Sequence, residues 1–103
     1  MCLKGIVYHE ARGEPSLGQA AVAAVVLNRS EQTGDEVCRT IRKRGQFTGK
    51  RPLHYSPKFS VPLDLVDKLP SGIRDATYFR NYPGKWSNHK YVGQIGHHYF
   101  YKD

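Results

Sequence analysis

The feature that most constrains the fold is an unbroken apolar run in the first third of the chain. Residues 20–27 read AAVAAVVL and contain no polar side chain. The run is far too short to cross a bilayer, which takes about 20 residues. A helix that is apolar on every side must be buried on most of them, and its alanines let neighbouring segments come close. We therefore predict a buried helix over residues 17–30, with the rest of the chain packed around it.

The size and composition of the chain fit one globular domain. Its 103 residues are 39% hydrophobic and 24% charged, which is typical of a folded domain with one modest core. We expect a single domain over residues 1–103, acting as a monomer. The opening MCLKGIVYHE lacks the basic segment and long apolar segment of a signal peptide. We therefore expect synthesis in the cytoplasm, and any action outside it then depends on another route of release.

The charge of the chain indicates what it binds. A formal net charge of +7 predicts an anionic partner. Nucleic acid is one candidate, and the acidic polymers and lipids of a bacterial envelope are another. Charge alone does not separate them, although the sequence contains no RNA-recognition or zinc-finger motif that would favour nucleic acid.

The remaining pattern predicts two further helices and, near the C-terminus, a small sheet. Ile6 and Val7 lie on one side of a first helix that Gly13 can end, and Pro15 can precede the buried helix. An amphipathic third helix is expected over residues 35–44. The fold class is therefore α+β: a helical core with a small antiparallel β-sheet toward the C-terminus. The other expected segments are a loop over residues 45–62, a short helix over 62–72, and extended strands within 76–83, 89–94 and 97–102.

The cysteines and histidines give little indication of a disulfide or a metal site. Two cysteines cannot form a disulfide framework, and we expect Cys2 and Cys38 to remain unbridged. The HE pair at residues 9–10 begins like a zinc-protease motif, but the required second histidine is missing. Adjacent histidines on one strand point to opposite faces. We therefore expect His97 to be packed or hydrogen-bonded, His98 to be exposed, and no metal to be bound.

Two glutamates near the end of the first helix are the leading candidates for chemistry. Glu10 falls where that mostly apolar helix ends. A carboxyl group held against apolar surface resists ionisation and can act as a general acid near neutral pH, which is the group that cleavage of a glycosidic bond needs. Glu14 could cap the next helix, pair with Arg12 or orient the site. The alternative is that both glutamates are solvated charges at helix ends.

A basic segment and an aromatic tail supply possible binding surfaces. Residues 39–51 are rich in Lys and Arg around Gln46, Phe47 and Thr48. This segment is either a lip that binds an anion or a glycan, or a solvated basic loop. Basic residues beside aromatic rings would also suit nucleic acid. The C-terminal third is dense in aromatic residues, and those on an open face could stack on sugar rings.

Four blocks of the sequence, taken in order, resemble one family. YHEARGEPSLGQAAVAAVVLNR resembles the opening signature of the SleB-type cell wall hydrolases, which include the spore cortex-lytic enzymes. The resemblance continues in VCRTIRKRGQF, DATYFRNYPGKW and IGHHYFY. It implies a small lysozyme-like fold. It also implies an enzyme that acts on peptidoglycan glycan strands, at the bond between N-acetylmuramic acid and N-acetylglucosamine. It implies no metal and no organic cofactor.

The resemblance also assigns roles to single residues. Glu10, the first glutamate of the EARGE motif, matches the catalytic acid. A lytic transglycosylase is favoured because no second carboxylate stands in a clear motif; a hydrolytic muramidase and a non-enzymatic basic binder are the alternatives. The absence of a leader and of a wall-binding segment favours a bacteriophage protein, released through a holin or carried by the virion. The residues expected to border the substrate are Glu14, Gln46, Phe47, Thr48, Tyr78 and His97.

Overall fold

A computed structural model describes residues 2–42, 56 and 58–103 of the chain. In this part of the chain four α-helices, one 3-10 helix and a three-stranded antiparallel sheet form the α+β fold that the sequence predicts. None of the helices described has the length and hydropathy to cross a bilayer. The helices are α1 (Cys2–Ala11), α2 (Ser16–Thr33), α3 (Val37–Arg42) and α4 (Ser71–Arg74), the 3-10 helix spans Leu63–Lys68, and the strands are β1 (Tyr78–Arg80), β2 (Lys90–Ile95) and β3 (His98–Lys102).

The apolar run forms the middle of α2 and lies at the centre of the molecule, as predicted. Every side chain from Ala20 to Val26 is buried. Helices α1 and α3, the 3-10 helix, α4 and the sheet all contact α2. The helix ends at Gly34, whose φ of 76° lets its N–H donate to the carbonyl of Ser30 at 2.9 Å. A residue in the left-handed backbone conformation commonly ends a helix, and glycine adopts this conformation without steric cost.

The polar C-terminal half of α2 holds the segment that leads into the sheet. The Asn28 side-chain amide donates to the carbonyls of Arg74 and Ala76, each at 2.8 Å. Arg29 is buried, donates from Nη1 to the Thr77 carbonyl at 3.0 Å, and lies 4.4 Å from the ring centroid of Tyr78. These bonds satisfy three carbonyls of this segment, and the bond to Thr77 is buried, where an unpaired carbonyl would be costly.

The sheet has a core face and an outer face. Its order is β1-β3-β2, and residues paired across antiparallel strands point to the same side. Phe79 pairs with Phe100 and faces α2, whereas Tyr78 and Tyr91 both pair with Tyr101 and face outward. The outer face is therefore lined mainly with tyrosines.

The prediction for the two adjacent histidines was wrong for His98. The side chain of His98 is only 5% exposed, with its ring 4.9 Å from that of Phe79. His98 is the first residue of β3 and pairs with Ile95, so it takes the core side together with Phe100. His97 lies in the turn between β2 and β3 and is hydrogen-bonded, as expected, although its ring is exposed.

The expectation that the cysteines stay apart was also wrong. Cys2 and Cys38 form a disulfide, with their Cα atoms 5.2 Å apart. The cause is the packing of α1 and α3 against each other and against α2, which brings the first turns of both helices together. Counting cysteines does not reveal this contact.

We expect the disulfide to stabilise the fold measurably. It closes a loop with a sequence separation of 36, and such a link restricts the unfolded chain. Replacing Cys2 and Cys38 together by serine should lower the free energy of unfolding by about 2–4 kcal/mol, measured by urea denaturation. Dithiothreitol should lower the stability of the wild-type protein and leave the double variant unchanged. Two reactive thiols in the denatured, unreduced wild-type protein would contradict the bond.

Candidate active site

The contact at the centre of the site joins two turns from opposite ends of the chain. Glu14 lies in the turn between α1 and α2, and its side chain is 10% exposed. Its Oε1 accepts the backbone N–H of His97 at 2.9 Å, and its Oε2 lies 3.1 Å from Nδ1 of the His97 ring. The carboxylate thus holds the β2–β3 turn against the helical part of the molecule.

Two glycines make room for this contact. Gly96, at the first position of the two-residue β2–β3 turn, has a φ of 57°, and a Cβ there would overlap Oε1 of Glu14. Glycine at this position is typical of a type II′ hairpin turn. On α2, a Cβ on Gly18 would lie 3.3 Å from Cβ of Glu14 and 3.4 Å from Cγ2 of Ile95. The absence of both side chains lets the sheet edge approach the helix.

The turn that carries Glu14 is fixed from the helix side. The backbone N–H of Glu14 donates to the carbonyl of Ala11 at 2.9 Å. The Gln19 side chain donates to the Glu14 carbonyl at 3.2 Å and to the Arg12 carbonyl at 3.4 Å. The guanidinium of Arg12 lies 5.1 Å from the centroid of the Tyr8 ring. The partner of the Glu14 carboxylate is therefore His97.

The surroundings of Glu14 keep it ionised. Burial acts to raise the pKa of this carboxyl, but the His97 backbone N–H, the His97 ring and the charges on His98 and His97 together outweigh it, and the pKa is lowered. Glu14 is therefore an anion near neutral pH. The Nδ1 atom of His97 then carries the hydrogen and donates to Oε2.

His98 is a buried ring within electrostatic reach of both Glu14 and Glu10. Burial lowers the pKa of His98, against the opposing charges of Glu14 and Glu10, so the ring is neutral near pH 7. Its Nδ1 is buried and has no hydrogen-bond partner among the described residues. The charges of both glutamates thus act on one buried ring, and Glu10 lies in the helix that leads into the turn of Glu14.

Glu10 has a different environment from Glu14. It lies in the last turn of α1, beside the buried Ala11, and is partly exposed. Glu14 is thus held as an anion by its bonds to His97, and Glu10 lies partly exposed at the end of α1. Two carboxylates in unlike environments can take different parts in a proton-transfer reaction.

Not all of the other predicted site residues are observed beside Glu14 and His97. Tyr78 lies in an aromatic cluster, 4.0 Å from the ring centroid of His89, 5.5 Å from that of Trp86, and stacked with Arg29. Gln46, Phe47 and Thr48 lie outside the described residues.

No three metal-ligating side chains meet within residues 2–42 and 58–103. Three aspartates that could supply a second carboxylate are exposed: Asp64, Asp67 and Asp75.

The sequence is similar to proteins that act on cell walls. A model of the cell wall hydrolase family matches residues 13–101, a stretch that includes Glu14 and His97 and begins after Glu10. A spore cortex-lytic enzyme of Halalkalibacterium halodurans is 41% identical over 83 residues, which cover 73% of this chain and 24% of that protein. A spore cortex-lytic enzyme of Bacillus cereus is 34% identical over 108 aligned residues, covering 93% of this chain and 41% of that protein.

These matches are partial with respect to the relatives. The chain spans 24% of the length of one and 41% of the other. No solved structure matches the chain. The lysozyme-like fold therefore stays a prediction, whereas the α+β class is observed in the described residues.

The Gly96 contact can be tested with a matched glycine. Gly34 also has a positive φ, but no atom lies within 4 Å of a Cβ placed there. Gly34→Ala should cost about 1–2 kcal/mol from backbone strain alone. Gly96→Ala should cost roughly 1–2 kcal/mol more, because the Glu14 carboxylate must leave its charge-assisted hydrogen bonds to His97. Urea denaturation measures both, and equal losses would contradict the contact.

The buried histidine predicts a loss of stability in acid. The pKa of His98 is below its usual 6.5 in the folded protein, so the unfolded chain binds more protons as the pH falls below 6.5. The free energy of unfolding should therefore decrease on acidification through that range. Glu14, with a pKa below 4.5, adds a further decrease below pH 4.5 by the same reasoning.

The histidine effect has a direct control. His98→Gln should flatten the loss of stability between pH 6.5 and the lowered pKa of His98, because the amide does not titrate. His9→Gln, at an exposed position of α1, should leave the wild-type slope unchanged. Melting temperatures between about pH 3 and pH 8 provide the measurement. An identical slope in wild type and His98→Gln would show that another group is responsible.

Proposed function

Because the chain belongs to the cell wall hydrolase family, we propose that it degrades peptidoglycan by breaking the glycosidic bond between N-acetylmuramic acid and N-acetylglucosamine. The observation that carries this proposal is a pair of carboxylates at one helix–helix turn: Glu14, held as an anion by His97, and Glu10, in the last turn of the helix that leads into it. Glu14 then cannot donate a proton near neutral pH. Glu10 is the member of the pair assigned to proton transfer.

In the proposed reaction Glu10 acts first as an acid. It gives its proton to the glycosidic oxygen as the bond to C1 of muramic acid breaks, and the bonding electron pair stays on the leaving oxygen. Positive charge develops on the muramic ring. Glu14, fixed and negatively charged beside the site, is placed to stabilise that charge electrostatically. Its role is to support the site and not to form a bond.

Glu10 then acts as a base in the second step. In a lytic transglycosylase it takes the proton of the muramic 6-hydroxyl, whose oxygen closes a 1,6-anhydro ring. In a muramidase a water molecule attacks instead, usually with the help of a second carboxylate. Glu14 is already engaged by His97, and Asp64, Asp67 and Asp75 are exposed. We therefore favour the transglycosylase outcome, which needs one proton-transfer group.

The charge of the chain fits this substrate. A net charge of +7 favours association with the acidic polymers of a bacterial envelope. It also fits our proposal that a bacteriophage delivers the protein as an endolysin or a virion lysin. Expression in a bacterial host with and without a holin tests the endolysin form: lysis should require the holin.

Replacement of Glu10 is the decisive test of the chemistry. Glu10→Gln should slow the clearing of purified cell walls by about 10²–10⁴-fold, the usual contribution of a general acid. Glu31→Gln makes the same chemical change at an exposed site of α2 and should keep the wild-type rate. Glu14→Gln should lose part of the activity and also the His97 contact. A folded Glu10→Gln variant that clears walls at the wild-type rate would overturn the assignment.

The products distinguish the two reactions. Mass spectrometry of the soluble fragments should find 1,6-anhydro-muramic ends for a transglycosylase, and reducing muramic ends for a muramidase. A wild-type protein without wall activity that binds DNA with a steep dependence on salt would instead support the non-enzymatic binder.

A further inference from the structure

The outer face of the sheet carries a depression that the proposed reaction does not use. It has a volume of about 360 Å³ and is lined by Pro83, Gly84, Lys85, Tyr91 and Tyr99. We call it the outer-face depression. Its volume lies near the lower end of the range found for small-ligand pockets, about 300–1,000 Å³. We propose that it binds one saccharide unit of the glycan strand, an inference that rests on the proposed function.

The wall of the depression is held rigidly from below. The carbonyl of Gly84 accepts the Tyr101 hydroxyl at 2.6 Å and Nη2 of Arg80 at 2.8 Å. The Arg80 guanidinium also lies 4.6 Å from the Trp86 ring centroid, and Tyr101 is buried under the loop. The site therefore exists before a ligand arrives, which lowers the entropic cost of binding.

The chemistry of the lining suits an amino sugar with a carboxylate. Tyr91 is 52% exposed, and Tyr99 lies on the same face of the sheet. The C–H face of a pyranose ring is apolar and packs well against an aromatic ring, whose large surface is costly to leave in water. Lys85 borders the depression with the apolar part of its side chain, and its ammonium group, at the rim, complements the carboxylate of muramic acid or of its stem peptide.

The position of the depression connects it with the candidate active site. Tyr99 is the second residue of β3, which begins directly after the turn that holds His97. A glycan strand lying beside Glu14 and His97 can therefore continue onto the tyrosines. Nucleic acid is the weaker fit, because one of the five lining residues is a cation and a phosphate backbone is bound by rows of them.

Binding to an uncleaved ligand tests the site without depending on catalysis. In Glu10→Gln protein, chitotetraose should shift the backbone amide signals of Gly84, Tyr91 and Tyr99. Tyr91→Ala in that background should weaken binding by about 3- to 10-fold. Tyr82→Ala removes a tyrosine of similar exposure, 57% against 52%, that does not line the depression, and should bind as the parent does. Equal affinity of the two variants would overturn the proposal.

A second variant keeps the test valid if Tyr91→Ala fails to fold. Lys85→Gln should weaken binding of a muramic acid disaccharide peptide and leave neutral chitotetraose unaffected, because only the first ligand carries a carboxylate. An equal effect on both ligands would contradict the role of Lys85. Tighter binding of oligothymidylate than of either sugar, steeply dependent on salt, would assign the surface to nucleic acid and overturn the proposal.

These results separate this proposal from the proposed function. Wild-type protein that binds chitotetraose through Tyr91 but does not cut peptidoglycan would refute the reaction and leave the saccharide site standing. Wild-type protein that cuts peptidoglycan, with signal shifts confined to residues around Glu14 and His97, would refute the outer-face site and leave the reaction standing.

Discussion

The packing of small side chains along α2 is the constraint on which the rest of the structure depends. The buried alanines and valines between Ala20 and Val26 allow helices on one side and the sheet on the other to reach the same axis. Close packing of this kind leaves little room for adjustment. The turn between α1 and α2, which carries Glu14, is consequently fixed relative to the β2–β3 turn.

The candidate site follows from that geometry. It is built where a helix–helix turn meets a hairpin turn, and its carboxylates differ because their positions differ. Glu14 is enclosed between the two turns and accepts hydrogen bonds from His97, and Glu10 lies partly exposed at the end of α1. The buried ring of His98 lies within the electrostatic reach of both. One rigid contact thereby keeps Glu14 an anion near neutral pH, and the carboxyl group that we propose to exchange a proton, that of Glu10, lies outside this contact.

Much of this fold can be predicted from the sequence, because local patterns determine it. The apolar run determines α2, and glycine and proline mark the ends of the first two helices. The predicted helix over residues 62–72 instead divides at Pro70 into a 3-10 helix and the short α4, since proline cannot donate the backbone hydrogen bond that a continuous helix requires.

The errors arose where long-range contacts decide the outcome. Alternation along a strand tells which residues share a face, but not where the strand begins. A two-residue turn at Gly96 and His97 starts β3 at His98 and turns that side chain inward. The Cys2–Cys38 bond and the partner of Glu14 likewise depend on contacts between distant segments. Glu10 was predicted from the resemblance of four sequence blocks to a family. The depression on the outer face could not be predicted from the sequence, because its lining residues meet only in the assembled sheet.

The space left by Gly96 has a consequence for recombining this protein with its relatives. The carboxylate of Glu14 occupies the volume where any other residue at 96 would place its first side-chain carbon. The α1–α2 turn and the β2–β3 turn therefore fit together as one contact, although they are far apart in the sequence. Chimeras should inherit both segments from a single parent, and a crossover anywhere between them puts that fit at risk.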